Sequence, residues 1–187
     1  MRLLQEMKIP PLDTITTSNY TVAVGYNAAG SSTTGHSNSV LGRQALFNNT
    51  TGSQNVAVGR DALEANTSAS NNTAVGFHAL VANTTGDRGA ALGKGALAAN
   101  TTGTENVGIG YLALDANTTG AANTAVGSEA LGANTTSNYN VAVGTAALIL
   151  NTTGTRNVAV GALALDANTT ASYNTAFGYS ALGANTT

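Results

Sequence analysis

The chain has 187 residues, a formal net charge of −2 and only 9% charged residues, whereas about 25% is typical of soluble domains. It contains no cysteine and two histidines, His36 and His78. This composition excludes a disulfide framework, a thiol nucleophile and a zinc site with cysteine ligands, and it argues against a multi-histidine metal site. Seven basic residues give no electrostatic footprint for nucleic acid, and no apolar run approaches the roughly 18 residues of a membrane helix.

The first eighteen residues, 1–18, differ in pattern from the rest of the chain. They contain both prolines, Pro10 and Pro11, and four of the sixteen charged residues. Residues 1–9 are weakly amphipathic, and the prolines end any helix there. We expect this segment to be either an anchor that docks the protein to a partner assembly or a cap on the first repeat. The apolar residues that could form the anchor are Leu3, Leu4, Met7 and Ile9.

From residue 19 to residue 187 the sequence repeats every seventeen residues without insertion. We number each position by how many residues it follows a recurring glycine, and we call the ten equivalent residues a column. Column 3 is always alanine and column 8 always threonine, while column 4 is leucine and column 7 asparagine in nine repeats of ten. Such a period is typical of a solenoid with one coil per repeat. The glycines of column 0 are Gly25, Gly42, Gly59, Gly76, Gly93, Gly110, Gly127, Gly144, Gly161 and Gly178.

Each repeat is predicted to contain a short strand, a glycine and a closing turn. In the run 55–58 the residues alternate, so Val56 and Val58 should point one way and Asn55 and Ala57 the other. The glycine that follows is expected to adopt a positive φ or to allow a close backbone approach. The leucine fills the interior, and Asn-Thr-Thr-Gly closes the coil. The predicted fold is therefore all-β: a parallel β-solenoid, or β-roll, of about ten 17-residue coils spaced about 4.8 Å apart.

The predicted interior is thin, with chiefly one β-branched or larger residue and one leucine per coil. Burying each of these contributes about 1.5–3 kcal/mol, whereas ordering each of the seventeen backbone units costs about 1–2 kcal/mol. The uncharged alanine columns would gain most if they faced another chain. We therefore expect a homotrimer, because small residues allow close approach around a threefold axis. A lone solenoid with alanine filling a narrow lumen is the alternative.

The polar and aromatic residues of the repeats indicate which columns face outward. All twelve charged residues of the repeats lie in columns 1, 2, 5, 11 or 12, as expected if these columns face water. Aromatic residues share two of these columns and could contact a glycan or a protein on a host surface. These candidates are Tyr26, Phe77, Tyr111 and Tyr179 in column 1, and Tyr20, Tyr139 and Tyr173 in column 12.

No catalytic, cofactor-binding or metal-binding group of residues is predicted, so we do not expect an enzyme. The two histidines occupy different columns, and each is expected to be a solvated surface residue. Asp61 and Glu64 could meet only as a like-charged surface pair, and no phosphate-binding glycine loop with its lysine is found.

The asparagine and threonine columns have structural and functional interpretations. Asparagines stacked coil upon coil are expected to hydrogen-bond as a ladder, and Asn-Thr-Thr is turn chemistry as well as a formal glycosylation signal. Stacked threonines suggest an ice-binding solenoid. Against that interpretation, two adjacent threonines in a strand would point to opposite faces.

Several runs of the repeat resemble known fibrous proteins. Asn-Val-Ala-Val-Gly, Asn-Thr-Ala-Val-Gly and Asn-Val-Gly-Ile-Gly resemble the head repeats of YadA-like trimeric autotransporter adhesins. The longer unit, residues 123–136, is similar to the repetitive segments of bacteriophage tail-fibre proteins. The first resemblance implies a trimeric, left-handed parallel β-roll, although the seventeen-residue repeat is a few residues longer than that of the adhesin heads.

The resemblances imply a structural role at a surface. Autotransporters carry a secretion signal and a C-terminal membrane anchor, and neither pattern is found in this sequence. We therefore expect a phage head or tail fibre or spike on the virion surface, attached to a virion protein through its N-terminus and presenting a host-contact surface. A bacterial cell-surface adhesin head and an ice-binding solenoid are the alternatives.

Overall fold

The computed structural model describes residues 20–186. Each repeat contributes one three-residue strand in columns 14–16, and each strand pairs in parallel with the strand of the next coil, in the order β1 to β10. The register advances by one repeat at each step, so that Val56 pairs with Thr73 and Val58 with Val75. The predicted parallel β-solenoid is thus confirmed. The strands are Val22–Val24, Ser39–Leu41, Val56–Val58, Thr73–Val75, Ala90–Leu92, Val107–Ile109, Thr124–Val126, Val141–Val143, Val158–Val160 and Thr175–Phe177.

The predicted anchor segment 1–18, with Leu3, Leu4, Met7 and Ile9, lies outside the described residues. Within residues 20–186, no helix is long and apolar enough to span a membrane.

The column 0 glycine has both properties expected from the sequence. Its φ lies between 123° and 145° in every coil, a region that side chains with a Cβ rarely adopt. A Cβ on Gly110 would also lie 2.5 Å from the carbonyl oxygen of Gly127 in the next coil. The stacking distance between coils therefore depends on the absence of a side chain in this column.

The turn segment of columns 1–6 also joins neighbouring coils by backbone hydrogen bonds. Left-handed residues recur in columns 2 and 4, as in Gln44 (φ 53°) and Leu46 (φ 52°). The N–H of Gln44 donates to the carbonyl of Tyr26 in the preceding coil at 2.8 Å, and the N–H of Leu46 donates to Ala62 in the following coil at 2.9 Å. The coil is consequently bonded to both neighbours outside the strands, a pattern that the sequence does not predict because leucine rarely adopts a positive φ.

The interior is formed by alanine and leucine with Val40 as the one buried β-branched residue of the described part of the chain, so the prediction of a β-branched residue in the core of each coil was wrong. Ala57, Ala62 and Leu63 are fully buried, whereas Val56 and Val58 on the same strand are partly exposed. The alanine columns 3 and 15 are consequently unavailable to face another chain. Alternation places Ala57 on the same side of the strand as the buried Asn55, and alanine fits beside the inward-pointing leucine.

The predicted asparagine ladder is confirmed, and a second one runs beside it. In column 7 the amide Nδ2 of seven successive asparagines, Asn66 to Asn168, donates to the amide oxygen of the preceding coil, as from Asn117 to Asn100 at 2.8 Å. In column 13 the backbone N–H of seven coils donates to the asparagine side-chain oxygen of the preceding coil, as from Asn123 to Asn106 at 3.0 Å. The asparagines of both ladders are buried in the core. Because buried polar groups cost free energy unless they are paired, the ladders make the stacking of coils specific.

The column 13 ladder is interrupted at Gly89, and we predict that Gly89→Asn stabilises the protein. The N–H of Gly89 donates to the side-chain oxygen of Asn72 at 2.7 Å, as in other coils of the ladder. Gly89 has no side-chain oxygen, however, that could accept a hydrogen bond from the N–H of Asn106. An asparagine would supply that acceptor and reduce the entropy of the unfolded chain. We expect the free energy of unfolding in urea to rise by about 1–2 kcal/mol.

The geometry at Gly89 permits this substitution. Its φ is not among the positive values, and a new Cβ would lie 3.0 Å from the side-chain oxygen of Asn72, which can shift. Asn123→Gly, which removes a link from the same ladder, is the matched control and should lower the free energy of unfolding. A lowered urea midpoint for Gly89→Asn would show that the ladder does not stabilise the coil stack.

Candidate functional site

The outward side of the sheet forms an exposed apolar stripe. Since residues alternate along each strand, columns 14 and 16 point away from the buried column 15. We call the outward residues of columns 12, 14, 16 and 1 the sheet face. Six large apolar side chains in its two central columns are 37–68% exposed, and the other valines of these columns are half-buried. An extended apolar patch of this kind marks an interaction surface in soluble proteins. The most exposed members are Val22, Val24, Leu41, Leu92, Ile109 and Phe177.

The aromatic contact candidates lie along both edges of this stripe. Tyr20, Tyr26, Phe77, Tyr111, Tyr139, Tyr173 and Tyr179 are all exposed, as their columns predicted, while their role in binding stays a prediction.

Cationic side chains stack against several of these rings. The Arg60 guanidinium lies 5.4 Å from the ring of Phe77, and the Lys94 ammonium lies 5.6 Å from Tyr111. Arg156 lies between two rings, 5.2 Å from Tyr139 and 5.6 Å from Tyr173. Each edge of the stripe therefore carries ordered cations and aromatic rings together.

The sequence suggested that Asp61 would lie on the surface as a like-charged neighbour of Glu64. In the structure Asp61 is buried. It is 5% exposed, and its Oδ2 accepts a hydrogen bond from Arg60 at 2.9 Å and lies 3.3 Å from Nε2 of His78. His78 is partly shielded because it stacks on Phe77 with ring centroids 3.8 Å apart. The left-handed turn directs column 2 partly inward in this coil, so Asp61 is held by the Arg60 guanidinium of its own coil and by the His78 ring of the next coil.

A second surface is formed by columns 2, 5 and 6, which we call the turn face. Gly132 leaves a gap in column 5 between larger neighbours, and a depression of about 290 Å³ lies there. Burial raises the pKa of the Asp115 carboxyl above its usual value, backbone N–H groups oppose the rise, and the Glu129 carboxylate adds to it. The depression thus combines apolar walls with two carboxylates. Its lining includes Leu112, Asp115, Glu129, Gly132, Ile149 and Leu150.

The threonine columns lie in a bend and not in a strand, so the strand alternation used against the ice-binding interpretation does not apply to them. Thr50 and Thr51 are both exposed. The hydroxyl of Thr50 donates to the carbonyl of Thr67 in the next coil at 3.0 Å, while Thr51 in column 9 faces solvent. We call columns 8, 9 and 11 the threonine face.

The Asn-Thr-Thr signals of column 7 have buried acceptor atoms. Asn117, for example, is fully buried, and its Nδ2 donates to both Asn100 and the carbonyl of Gly120. Both amide hydrogens are therefore engaged in the folded protein, as the turn interpretation of this motif requires.

One sequence signal could have located the sheet face. Column 15 contains only alanine except for Val40 and Gly108, whereas columns 14 and 16 vary from serine and alanine to phenylalanine. Nearly invariant small size is typical of a confined interior, and variable size of a surface.

Comparison with family models, curated proteins and solved structures found no significant match. The function of this chain is therefore inferred from its residues and their geometry.

Proposed function

We propose that this protein is a structural rod, a bacteriophage fibre or spike in which three copies of the chain associate along their length. The observation that carries the proposal is the gapless stack of ten parallel strands with an exposed apolar stripe along it. A stack of this kind has a fixed length and few internal degrees of freedom, because each coil is bonded to its neighbours. Such a rod can space or present a contact surface without any chemistry of its own.

The sheet face is the best candidate for the contact between copies. Nine coil steps of about 4.8 Å and six residues of about 3.3 Å give a face of about 43 Å by 20 Å. This area is close to the roughly 800 Å² that each partner contributes to a stable interface. The trimer therefore does not need the alanine columns, which the coil itself buries. The left-handed winding and the N-terminal attachment remain those implied by the resemblance to adhesin heads and tail fibres.

We predict that the purified chain sediments at three times its mass of 18.5 kDa, and that Val143→Lys with Val160→Lys yields monomers. These residues lie in column 16, where a buried interface would not tolerate unpaired ammonium groups. Sedimentation equilibrium measures the mass, and circular dichroism checks that the coils remain folded. Thr136→Lys with Thr153→Lys adds the same charge in column 9 and should leave the trimer intact. A wild-type mass of 18.5 kDa would contradict the trimer.

The virion assignment is tested by location. Antibodies raised against the rod should detect the protein on purified phage particles, at a few copies per particle and in multiples of three. Detection on bacterial envelopes instead would identify the protein as a cell-surface adhesin.

A further inference from the structure

The charges of the rod are segregated between two surfaces. Within residues 20–186, every lysine and arginine lies at the edges of the sheet face, in columns 1 and 12. Five of the seven acidic residues lie on the turn face, in columns 2 and 5. The cations are Arg43, Arg60, Lys94, Arg88 and Arg156, and the turn-face acids are Asp61, Glu64, Asp115, Glu129 and Asp166.

Pairing within one chain accounts for only part of these charges. The ion pairs of the described residues join Arg60 to Asp61 and Arg88 to Glu105, and Nε2 of His78 lies within hydrogen-bond distance of Asp61. Arg43, Lys94 and Arg156 on the sheet face have no carboxylate partner among those residues, and neither Asp115 nor Asp166 on the turn face has a cationic one.

Two pairs of unpaired charges of opposite sign lie at similar heights along the rod. Arg156 comes two residues before β9 and Asp166 six residues after it, so they belong to one coil. Lys94 follows β5 and Asp115 follows β6, one coil apart. Two parallel rods placed side by side without axial shift would therefore bring Arg156 to the height of Asp166, and would bring Lys94 within about one coil spacing, about 4.8 Å, of the height of Asp115.

The apolar residues of the two surfaces also match. The sheet face offers a raised aliphatic stripe, and the turn face offers the depression lined by Leu112, Ile149 and Leu150. A cation from a neighbouring chain would also favour the ionised form of Asp115, which burial in the single chain disfavours.

We propose that the sheet face of one chain packs against the turn face of the next, in axial register, so that three chains close into a ring of identical heterologous contacts. This inference rests on the trimer proposed above and specifies its interface. A ring of three requires two different surfaces on each chain, and here the two are complementary in charge and in apolar character. The contact pairs Arg156 with Asp166, and Lys94 with Asp115, between chains.

The test is a charge reversal measured by sedimentation equilibrium at low salt, where surface pairs are least screened. Arg156→Glu and Asp166→Arg are each expected to raise the concentration at which half of the trimer dissociates by about tenfold or more, because each change acts at all three contacts. The double variant should return to within about threefold of the wild type. Since no ion pair joins Arg156 to Asp166 within a chain, such rescue must act between chains.

Thr102→Arg adds a charge on the threonine face, four coils away from Asp166, and serves as the matched control, with no expected change in trimer dissociation. Circular dichroism should be the same for all variants, because both reversed side chains extend from the surface of the coil. If the wild type is a monomer, the trimer and this interface both fail. If the wild type is a trimer but single reversals leave dissociation unchanged, or if the double variant dissociates more readily than either single variant, the trimer stands and this interface is overturned.

Discussion

Gly110→Ala is expected to destabilise the rod severely, by about 3 kcal/mol or more in the free energy of unfolding. Two effects act together. The φ of Gly110 is 134°, a region that strains any residue with a Cβ, and the new methyl group would lie 2.5 Å from the carbonyl oxygen of Gly127. Relief by moving the coils apart is opposed by the bond from the N–H of Gly127 to the carbonyl of Ile109, at 2.7 Å. Urea or thermal unfolding followed by circular dichroism measures the loss.

Gly120→Ala provides the matched control in column 10. A Cβ there would also meet backbone, 2.4 Å from the carbonyl oxygen of Ser137, but its φ is not in the positive range. Column 10 already contains Ala69, Ala171 and Ser137, so the coil can adjust to a side chain at this position. We expect a loss of about 1 kcal/mol. Equal losses for the two variants would mean that column 0 does not set the spacing between coils.

Ala113→Glu is expected to have a comparable effect for a different reason. Ala113 has no exposed surface and lies in the core next to Leu114. A glutamate there would bury an unpaired carboxyl group and would also exceed the space that the alanine fills, and either effect is strongly destabilising. We expect a loss of about 4 kcal/mol or more, or failure to fold. The melting temperature measured by circular dichroism tests this.

The control for Ala113→Glu is Ala98→Glu in column 5. This column already contains Glu64, Asp115 and Asp166 at partly exposed positions, and it tolerates a carboxylate in those coils. The change should cost well under about 1 kcal/mol. A wild-type melting temperature for Ala113→Glu would mean that column 3 faces water, contrary to its burial in the core.

The sequence alone predicted the elements that depend on one repeat and its stacking. The uninterrupted period of seventeen indicates one coil per repeat, because any insertion would break the register between strands. Three other features follow from local chemistry. The glycine of column 0 is required where the backbone has no room for a Cβ atom. The leucine of column 4 points inward because it is an apolar side chain among turn residues, and the asparagines of column 7 form a ladder because their amides lie one coil apart. These features are all confirmed in the structure.

The tertiary structure decided which side of the strand is the interior. Period-two alternation separates Ala57 from Val56 and Val58 but does not say which set is inside, and hydrophobicity favours valine. The closed coil reverses this choice, because the inward leucines and the buried asparagine ladders leave little room beside them, and alanine occupies that space in eight coils of ten. The same geometry directs the valines outward, sets the cations along the edges of the sheet face and places the acids on the turn face. The sequence shows which residues belong to the same column. Which columns share a surface depends on how the coil closes, because the left-handed turns of columns 2 and 4 determine where each side chain points.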